Sequence, residues 1–278
     1  MSQQDDPSPW IEVGALAQAF EPGANVLAAS ADLAGSNVSI QLTTGEGLHY
    51  CFIEGGRLIY KTGSGLEQEV AARITSIRRD IYLVDHLSSP ASAGSVSLVL
   101  DLKRGRALVL TTQLPTQAAA LRPLRERLAA GSSLTTVSAD FRTGDIGGAQ
   151  AGNRPPISST DELIGTHNRY VYSENEIYDH IYLNTHCYAW HCISGAEVGL
   201  ADVDRCQTFK IDEGLYLFSW QEKIIPTLGL LLIDLDQGRT DGKIIGYRDA
   251  DFASVVNFPV GAKIVPMTRL NGLGAAHA

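Results

Sequence analysis

The feature that most constrains the fold of this chain is an internal repeat. Three segments of the first half match three segments of the second half, in the same order and with a nearly constant offset. The matched pairs are Tyr50–Gly55 with Trp190–Gly195, Asp80–Val84 with Gly214–Phe218, and Leu100–Arg106 with Ile233–Arg239. Three matches in the same order are difficult to explain by chance, and they indicate two copies of one structural unit. Such a repeat constrains the architecture more strongly than any single segment does.

The repeated segments have the pattern of short β-strands joined by tight turns. In the last matched pair, an apolar run leads into a polar turn with a glycine, Gly105 or Gly238, and a second strand-like run follows. Each half contains several such strands separated by Gly, Asp, Asn and Ser. This spacing predicts an all-β protein of two tandem antiparallel β-barrels, and 278 residues are enough for two units with a core each.

The composition changes between the two halves. Residues 116–130 have helical periodicity, and Pro123 is expected to kink that helix or to begin a second one. Residues 134–142 alternate like a strand that closes the first barrel, whereas residues 145–159 are rich in Gly, Pro and Ser and are typical of a linker. The predicted organisation is a first domain at 1–144, a linker at 145–160 and a second domain at 161–278.

The charge pattern excludes several classes of partner. Lys and Arg total 22 against 31 Asp and Glu, a formal charge of -9, with no long block of either sign, so we expect binding to neither nucleic acid nor anionic membranes. Residues 1–9 lack the pattern of an export signal, and the longest apolar stretch, Leu228–Leu235, is far shorter than the roughly 20 residues that cross a bilayer. We therefore expect a cytoplasmic protein.

The cysteines and the known cofactor motifs point to no metal or cofactor. Cys51, Cys187, Cys192 and Cys206 form no CxxC motif and are expected to be free buried thiols. Cys187 and Cys192 would lie on opposite faces of one strand, because their separation is odd. The sequence also lacks a dinucleotide fingerprint, a P-loop and a GxSxG nucleophile elbow.

The densest group of reactive side chains lies between residues 170 and 222. Strand alternation places Tyr170 and Tyr172 on one side of an extended segment. It also gives two later strands a polar-aromatic face each, made of Tyr178, His180 and Tyr182 in the first strand and of Tyr216, Phe218, Trp220 and Glu222 in the second.

Glu222 is the leading candidate for proton transfer. Apolar surroundings raise the pKa of a carboxyl group and allow it to donate a proton near neutral pH, and Glu222 ends an aromatic face. The alternative is a carboxylate at the exposed end of a strand, paired with Lys223 or a nearby arginine.

Two histidines flank the middle strand of this region, and only one of them can face the interior. His186 and His191 are five residues apart, and alternation therefore sends them to opposite faces. His191 shares an otherwise apolar face with Cys187, Ala189 and Ile193 and is the candidate for moving protons, the alternative being a hydrogen-bonded structural residue.

Two family resemblances emerge from these motifs. The runs YDHIYL (178–183), YAWHC (188–192), GLAD (199–202), LYLFSW (215–220) and IDL (233–235) resemble the MoaF family, over the second half and more faintly over the first. That family is named after molybdenum cofactor biosynthesis and is also described as monoamine-inducible, and neither label defines a reaction.

The second half is also similar to the phenolic acid decarboxylases, calycin-type (lipocalin-like) barrels that release carbon dioxide from hydroxycinnamic acids without a cofactor. The similar runs are GTH (165–167), YVY (170–172), Ser194–Gly195 and GLYLFSWQE (214–222). The resemblance implies that Tyr170 and Tyr172 clamp the substrate and that Glu222 transfers the proton. An arginine of that family is missing here, where Gly199–Asp202 stand, and Arg205 or His191 would have to replace it.

These observations predict a calycin-like second barrel that binds a small aromatic or phenolic compound and catalyses acid-base chemistry on it. Tyr170 and Tyr172 hold an acidic group, and Glu222 protonates or deprotonates a carbon activated by a conjugated ring, with His191 assisting. Decarboxylation, hydration or dehydration, isomerisation and cyclisation all use this step. The other residues expected to bind substrate are Tyr178, His180, Tyr182, Trp190, Arg205, Tyr216, Phe218 and Trp220.

Two other functions fit the same pattern. One is a barrel that carries or senses an aromatic or pterin-like molecule without converting it. The other is an accessory protein of a molybdenum enzyme, as the family name implies. The first half has Ser88 opposite Glu222 and no tyrosine pair near residues 23–26, and we interpret it as a structural or homodimer-forming copy.

Overall fold

The computed structural model describes residues 10–20, 24–89, 92–147 and 155–269. Within these residues the protein forms two closed, eight-stranded antiparallel β-barrels, which confirms the predicted all-β tandem architecture. None of the helices in the described ranges is long and apolar enough to cross a membrane.

In the first barrel each strand pairs with the next, and the last strand pairs with the first. Its strands are β1 (Asn37–Leu42), β2 (Gly47–Ile53), β3 (Arg57–Thr62), β4 (Gln68–Arg78), β5 (Ile81–Leu87), β6 (Gly94–Asp101), β7 (Arg106–Gln113) and β8 (Ser138–Ile146). Alternation fills the interior: on β1, Val38, Ile40 and Leu42 are buried and their neighbours are exposed. β8 closes the barrel as predicted, although it begins at Ser138 rather than at residue 134.

The second barrel has the same sequential order. A two-residue strand, β9 (Ser158–Ser159), precedes the barrel strands and pairs with β13. The following strands are β10 (Thr166–Val171), β11 (Ile177–Tyr182), β12 (Cys187–Ser194), β13 (Ala201–Asp212), β14 (Leu215–Gln221), β15 (Thr227–Asp234), β16 (Arg239–Tyr247), β17 (Val255–Val260) and β18 (Lys263–Arg269). β18 pairs with β10 and, at one position, with β16, which closes eight strands into a barrel, while β17 pairs with the rest of β16.

Two of the three sequence matches join equivalent positions of the two barrels. Gly105 and Gly238 occupy the same hairpin turn with φ of 64° and 62°, in the left-handed region that glycine adopts readily. Asp80 and Gly214 also share a left-handed turn, with φ of 63° and 61°. The third match was misassigned. Its segments lie in the second strand of the first barrel and the third strand of the second barrel. The two segments matched because strands that lead into a glycine turn have similar local sequences.

The helices are short. α1 spans Val13–Phe20, α2 spans Gln117–Ala120 and α3 spans Leu124–Ala129. Pro123 lies at the N-cap of α3, which confirms that a second helix begins there.

The two compact units contain different segments of the chain from those of the predicted domains. One unit groups residues 27–115 with 137–158, and the other groups residues up to 26 and residues 116–136 with 159–278. α1 belongs to the second-barrel unit because its apolar residues pack into that core and because Gly14 N–H donates to Arg248 O at 2.9 Å. Residues 148–154 of the predicted linker lie outside the described residues.

The cysteines are all free in the described structure. Cys192 and Cys206 are buried, while Cys51 and Cys187 are half-buried rather than fully buried as expected. On β12 the interior face carries Cys192, and Cys187 lies on the other face, as the odd separation predicts.

Candidate functional site

The interior of the second barrel is built from aromatic side chains. On β10, β11, β12 and β14 every second residue points inward, and most of these positions hold large rings. All the rings that were expected to hold or bind the substrate are buried: Tyr170, Tyr172, Tyr178, His180, Tyr182, Trp190, Tyr216, Phe218 and Trp220. Tyr188 joins them.

A small cavity lies among these rings at the end of the barrel where α1 packs. Its volume is about 30 Å³, room for one or two water molecules. Six aromatic side chains and two aliphatic ones form its walls: Phe20, Tyr172, Tyr178, Tyr188, Trp190, Trp220, Leu16 and Ile244. Its polar lining consists of His180, Glu197 and Glu222.

α1 closes this end of the barrel. Phe20 packs against Tyr172 with ring centroids 4.9 Å apart and against Tyr178 at 5.8 Å. Trp10, just before the helix, meets Trp190 edge to face at 5.7 Å. An aromatic compound therefore has room in the cavity only when Phe20 moves away.

Glu222 places its carboxyl group in the cavity. It follows the last residue of β14, where its backbone N–H donates to Thr227 O at 3.0 Å, and its Oε1 accepts a hydrogen bond from Trp220 Nε1 at 3.1 Å. Burial, and then the nearby carboxylates of Asp204 and Glu197, raise the pKa of Glu222 well above its ordinary value. The direction of this shift is the one expected for a carboxyl group among aromatic side chains, and it favours the protonated form of Glu222.

The alternative environment for Glu222, an ion pair with Lys223, does not form. Lys223 Nζ lies 2.5 Å from Asp202 Oδ1 and 3.4 Å from Asp204 Oδ1. Asp204 also accepts a hydrogen bond from Trp190 Nε1 at 2.9 Å, so the carboxylate that the lysine contacts is shared with this indole.

Glu197 is a second carboxyl group of the cavity, and the sequence analysis missed it. It is only 8% exposed, and Tyr178 Oη donates to its Oε2 at 3.2 Å. The pKa of Glu197 is raised to about 7, because burial and, to a lesser extent, the carboxylate of Glu176 raise it by more than the hydrogen bond from Tyr178 lowers it. Glu176 lies 3.5 Å from Tyr178 Oη and accepts a hydrogen bond from Ala196 N–H at 3.0 Å.

A topological signal could have identified these glutamates. In an antiparallel barrel with sequential strands, alternate hairpin turns lie at the same end. Glu176 lies in the β10–β11 turn, Glu197 in the β12–β13 turn and Glu222 at the start of the β14–β15 turn. The strand order alone therefore brings the three carboxyl groups to one rim of the barrel.

The histidine of the site is His180, not His191. His180 is 3% exposed and packs against Tyr170 at a centroid distance of 4.5 Å and Tyr188 at 5.1 Å. Burial lowers the pKa of His180 to about 3, so the imidazole is neutral. Its Nδ1 is buried and has no hydrogen-bond partner in the part of the chain that is described.

Two predicted residues lie on the wrong face of the barrel. His191 is exposed, because Tyr188, Trp190 and Cys192 occupy the inner face of β12 and alternation sends His191 outward. Arg205 is exposed on β13 for the same reason, opposite Cys187 in the register. Neither residue reaches the cavity, and this corrects the expectation that either supplies a cation or moves protons there.

The predicted tyrosine pair is split between two roles. Tyr170 and Tyr172 both point inward with ring centroids 6.4 Å apart, but only Tyr172 lines the cavity. Tyr170 Oη lies 2.6 Å from Tyr182 Oη, and burial raises the pKa of Tyr170 to about 12. Both hydroxyl groups of the Tyr170–Tyr182 pair are thus engaged within the protein.

Two other predicted binding residues belong to the core. Phe218 is fully buried between Tyr182 and Tyr188, with centroid distances of 5.0 Å to each. Tyr216 donates from Oη to Glu162 Oε2 at 2.7 Å and does not line the cavity.

The first barrel has a different interior at the equivalent positions. β1 has the position of β10, and its inward residues are aliphatic rather than a tyrosine pair. Ser88, opposite Glu222 in the repeat, accepts a hydrogen bond from Tyr60 Oη at its backbone oxygen at 2.7 Å. In the segment 23–26, where no tyrosine pair was expected, residue 23 lies outside the described residues.

Comparisons with known proteins assign the family. The family model of the MoaF N-terminal domain matches residues 8–116, and that of the MoaF C-terminal domain matches residues 157–270. Protein MoaF of Klebsiella aerogenes is 44% identical over 265 residues, covering 94% of this chain and 97% of that protein. A crystal structure of a candidate beta-lactamase from Burkholderia vietnamiensis matches 41% of this chain and 99% of that chain at 14% sequence identity. Its TM-score of 0.33 is too low to indicate a shared function. The chain belongs to the MoaF family.

Proposed function

We propose that the second barrel binds a small aromatic compound and performs cofactor-independent acid-base chemistry on it, with Glu222 as the proton donor. The observation that supports this proposal is a carboxyl group of raised pKa inside a cavity with aromatic walls. Carboxyl groups that titrate near or above neutral pH in an apolar cleft are typical of catalytic acids.

In this proposal Glu222 gives its proton to a carbon made reactive by a conjugated ring, and the hydrogen bond from Trp220 Nε1 fixes the orientation of the carboxyl group. After transfer, the same hydrogen bond stabilises the carboxylate. His180 takes the place expected of His191, and its neutral imidazole can accept or donate a hydrogen bond but is a poor base, because burial lowers its pKa to about 3. Decarboxylation, hydration or dehydration, isomerisation and cyclisation share this proton transfer.

The proposal requires the end of the barrel to open. A cavity of about 30 Å³ is smaller than one aromatic ring, and Phe20 fills the space beside Tyr172. α1 is held at its start by the Gly14–Arg248 hydrogen bond, and the chain after it is held by Asn25, whose N–H donates to Tyr172 O at 2.8 Å. Movement of the helix between these two attachments admits the substrate and excludes water when it returns.

The test compares the wild type with Glu222→Gln on a panel of aromatic compounds that contains hydroxycinnamic acids, neutral phenols and aromatic amines, following absorbance and released carbon dioxide. We expect turnover in the wild type and a loss of at least about 100-fold in the variant, the usual contribution of a general acid. Glu174→Gln is the matched control, because Glu174 is an exposed glutamate in the β10–β11 turn of the same barrel end. Full turnover by Glu222→Gln would contradict the proposed role.

A second candidate function follows from the family. MoaF membership is compatible with an accessory role related to the molybdenum cofactor, and a barrel closed by its own helix is also suited to carrying a ligand without converting it. Binding of a panel compound without turnover in both proteins would favour a carrier. Co-purification of the full chain with a molybdenum enzyme would favour the accessory role.

A further inference from the structure

The polar groups of the second-barrel cavity are carboxyl groups and one neutral imidazole. Its polar lining consists of two glutamates and a neutral histidine, and none of its lining residues in the described structure is a lysine or an arginine. Glu176 adds a third carboxyl group next to Glu197, because both lie within 3.5 Å of Tyr178 Oη. A ligand carboxylate finds no cation to pair with among these residues, and any glutamate that ionises repels it.

The nearest cations are directed elsewhere. Lys223 forms ion pairs with Asp202 and Asp204, and Arg205 is exposed on the outer face of β13. An aromatic acid would therefore enter without the cation that its carboxylate needs.

The walls of the cavity favour the opposite charge. The negative faces of aromatic rings attract ammonium groups, and several rings around one cavity form a cage for an organic cation. Tyr178 lies within 6.3 Å of Trp190 and 5.9 Å of Tyr172, centroid to centroid, on the side of the cavity where Glu197 lies. The Trp190 indole N–H donates to Asp204 in the plane of the ring, so this hydrogen bond does not itself occupy a ring face.

The position of an aromatic group is already occupied by a ring of the protein. Phe20 is part of the cavity wall and packs against the rings of Tyr172 and Tyr178. A ligand ring that displaces Phe20 can make the same ring contacts with these two tyrosines. His180, with its buried and unpartnered Nδ1, lines the same space and offers a polar contact on the inner side.

We infer that the ligand of this cavity is an aromatic compound that carries a protonated amine, with the ammonium group between Glu197 and the faces of Tyr178 and Trp190 and the ring in the place of Phe20. This inference rests on the site of the proposed function and specifies its substrate class. This arrangement places no ligand charge on Glu222, which keeps its hydrogen bond from Trp220 Nε1 and its proposed role as the acid.

The experiment measures the binding of three probes of one shape by calorimetry at pH 7: benzylamine, benzyl alcohol and benzoate. It uses the full chain as wild type and as Phe20→Ala, in which the ring position is vacant without helix movement. We expect Phe20→Ala to bind benzylamine about tenfold more tightly than benzyl alcohol, and benzoate more weakly than both. Equal or tighter binding of benzoate, or no binding of benzylamine to either protein, would overturn the inference.

Charge-removing variants identify the carboxyl group that acts. In the Phe20→Ala background, Glu197→Gln should weaken benzylamine binding about tenfold and leave benzyl alcohol binding unchanged. Glu174→Gln, on the exposed part of the neighbouring turn, should change neither. A loss of alcohol binding equal to the loss of amine binding would show a structural defect and overturn the assignment to charge.

The outcome is separable from that of the proposed acid-base chemistry. Amine-selective binding without turnover of any compound supports the ligand class and refutes the chemistry. Turnover of an aromatic acid that depends on Glu222 supports the chemistry and refutes the ligand class.

Discussion

The buried carboxyl group of Glu197 makes the second-barrel unit less stable as the pH rises. Its pKa is about 7 in the folded protein, against an ordinary value of 4.5, so the folded state holds this proton more tightly than the unfolded state. Stability therefore falls between pH 4.5 and 7 and the loss is complete above pH 7. At 1.36 kcal/mol per pKa unit, the loss amounts to about 3 kcal/mol.

Glu197→Gln removes the titrating group and keeps an oxygen for the hydrogen bond from Tyr178 Oη. We expect the variant to be more stable than the wild type by about 3 kcal/mol at pH 8 and to differ little from it at pH 4.5. The neighbouring carboxyl groups of Glu176 and Glu222, which also have raised pKa values, remain in both proteins and retain part of the pH dependence.

Tryptophan fluorescence during urea unfolding is a suitable assay. All 3 tryptophans of the chain, Trp10, Trp190 and Trp220, belong to the second-barrel unit, so the signal reports the unfolding of that unit alone. Glu174→Gln serves as the control, with a pH dependence equal to that of the wild type. If Glu197→Gln has the same pH dependence as the wild type between pH 4.5 and 8, then Glu197 does not titrate with a raised pKa and the reasoning is refuted.

Two further substitutions test the packing of each barrel. A methyl group at Gly229 would lie 2.0 Å from Trp220 Cζ2, so Gly229→Ala should displace the indole. We expect urea unfolding to show that the second-barrel unit is destabilised by about 1–3 kcal/mol. An unchanged unfolding midpoint would show that the indole can move at no cost in stability. In the first barrel, Asp101 is fully buried and lies 2.7 Å from Arg106. Asp101→Ala removes the carboxylate of this buried ion pair and should cost about 3–5 kcal/mol in urea unfolding followed by far-ultraviolet circular dichroism, whereas a loss below about 1 kcal/mol would mean that the pair contributes little.

Much of the fold was contained in the sequence. The repeat and the strand alternation predicted two tandem barrels, and Pro123 predicted the start of a second helix. The same alternation predicted which rings share a face of β11 and β14, because side chains of a strand point to opposite sides in turn.

Alternation could not decide which face of a strand is the inner one. On β12 both faces carry apolar residues, and the bulkier set of Tyr188 and Trp190 fills the barrel, which places His191 outside. The same limit applies to Arg205, because the face of β13 depends on its pairing with β12. His180 was selected as a binding residue from its face, but its neutral state follows only from its complete burial.

The sequence by itself determined the two barrels, their aromatic faces and the position of Glu222 at the end of such a face. The tertiary structure alone decided that α1 closes the second barrel, because only long-range packing shows where Phe20 lies. It also decided that Glu197 joins Glu222, since residues in separate turns become neighbours only when the strands close. Which side chains share a face of a strand follows from the local sequence, because successive residues alternate in direction. A cavity and the charged groups in it depend on contacts between distant segments.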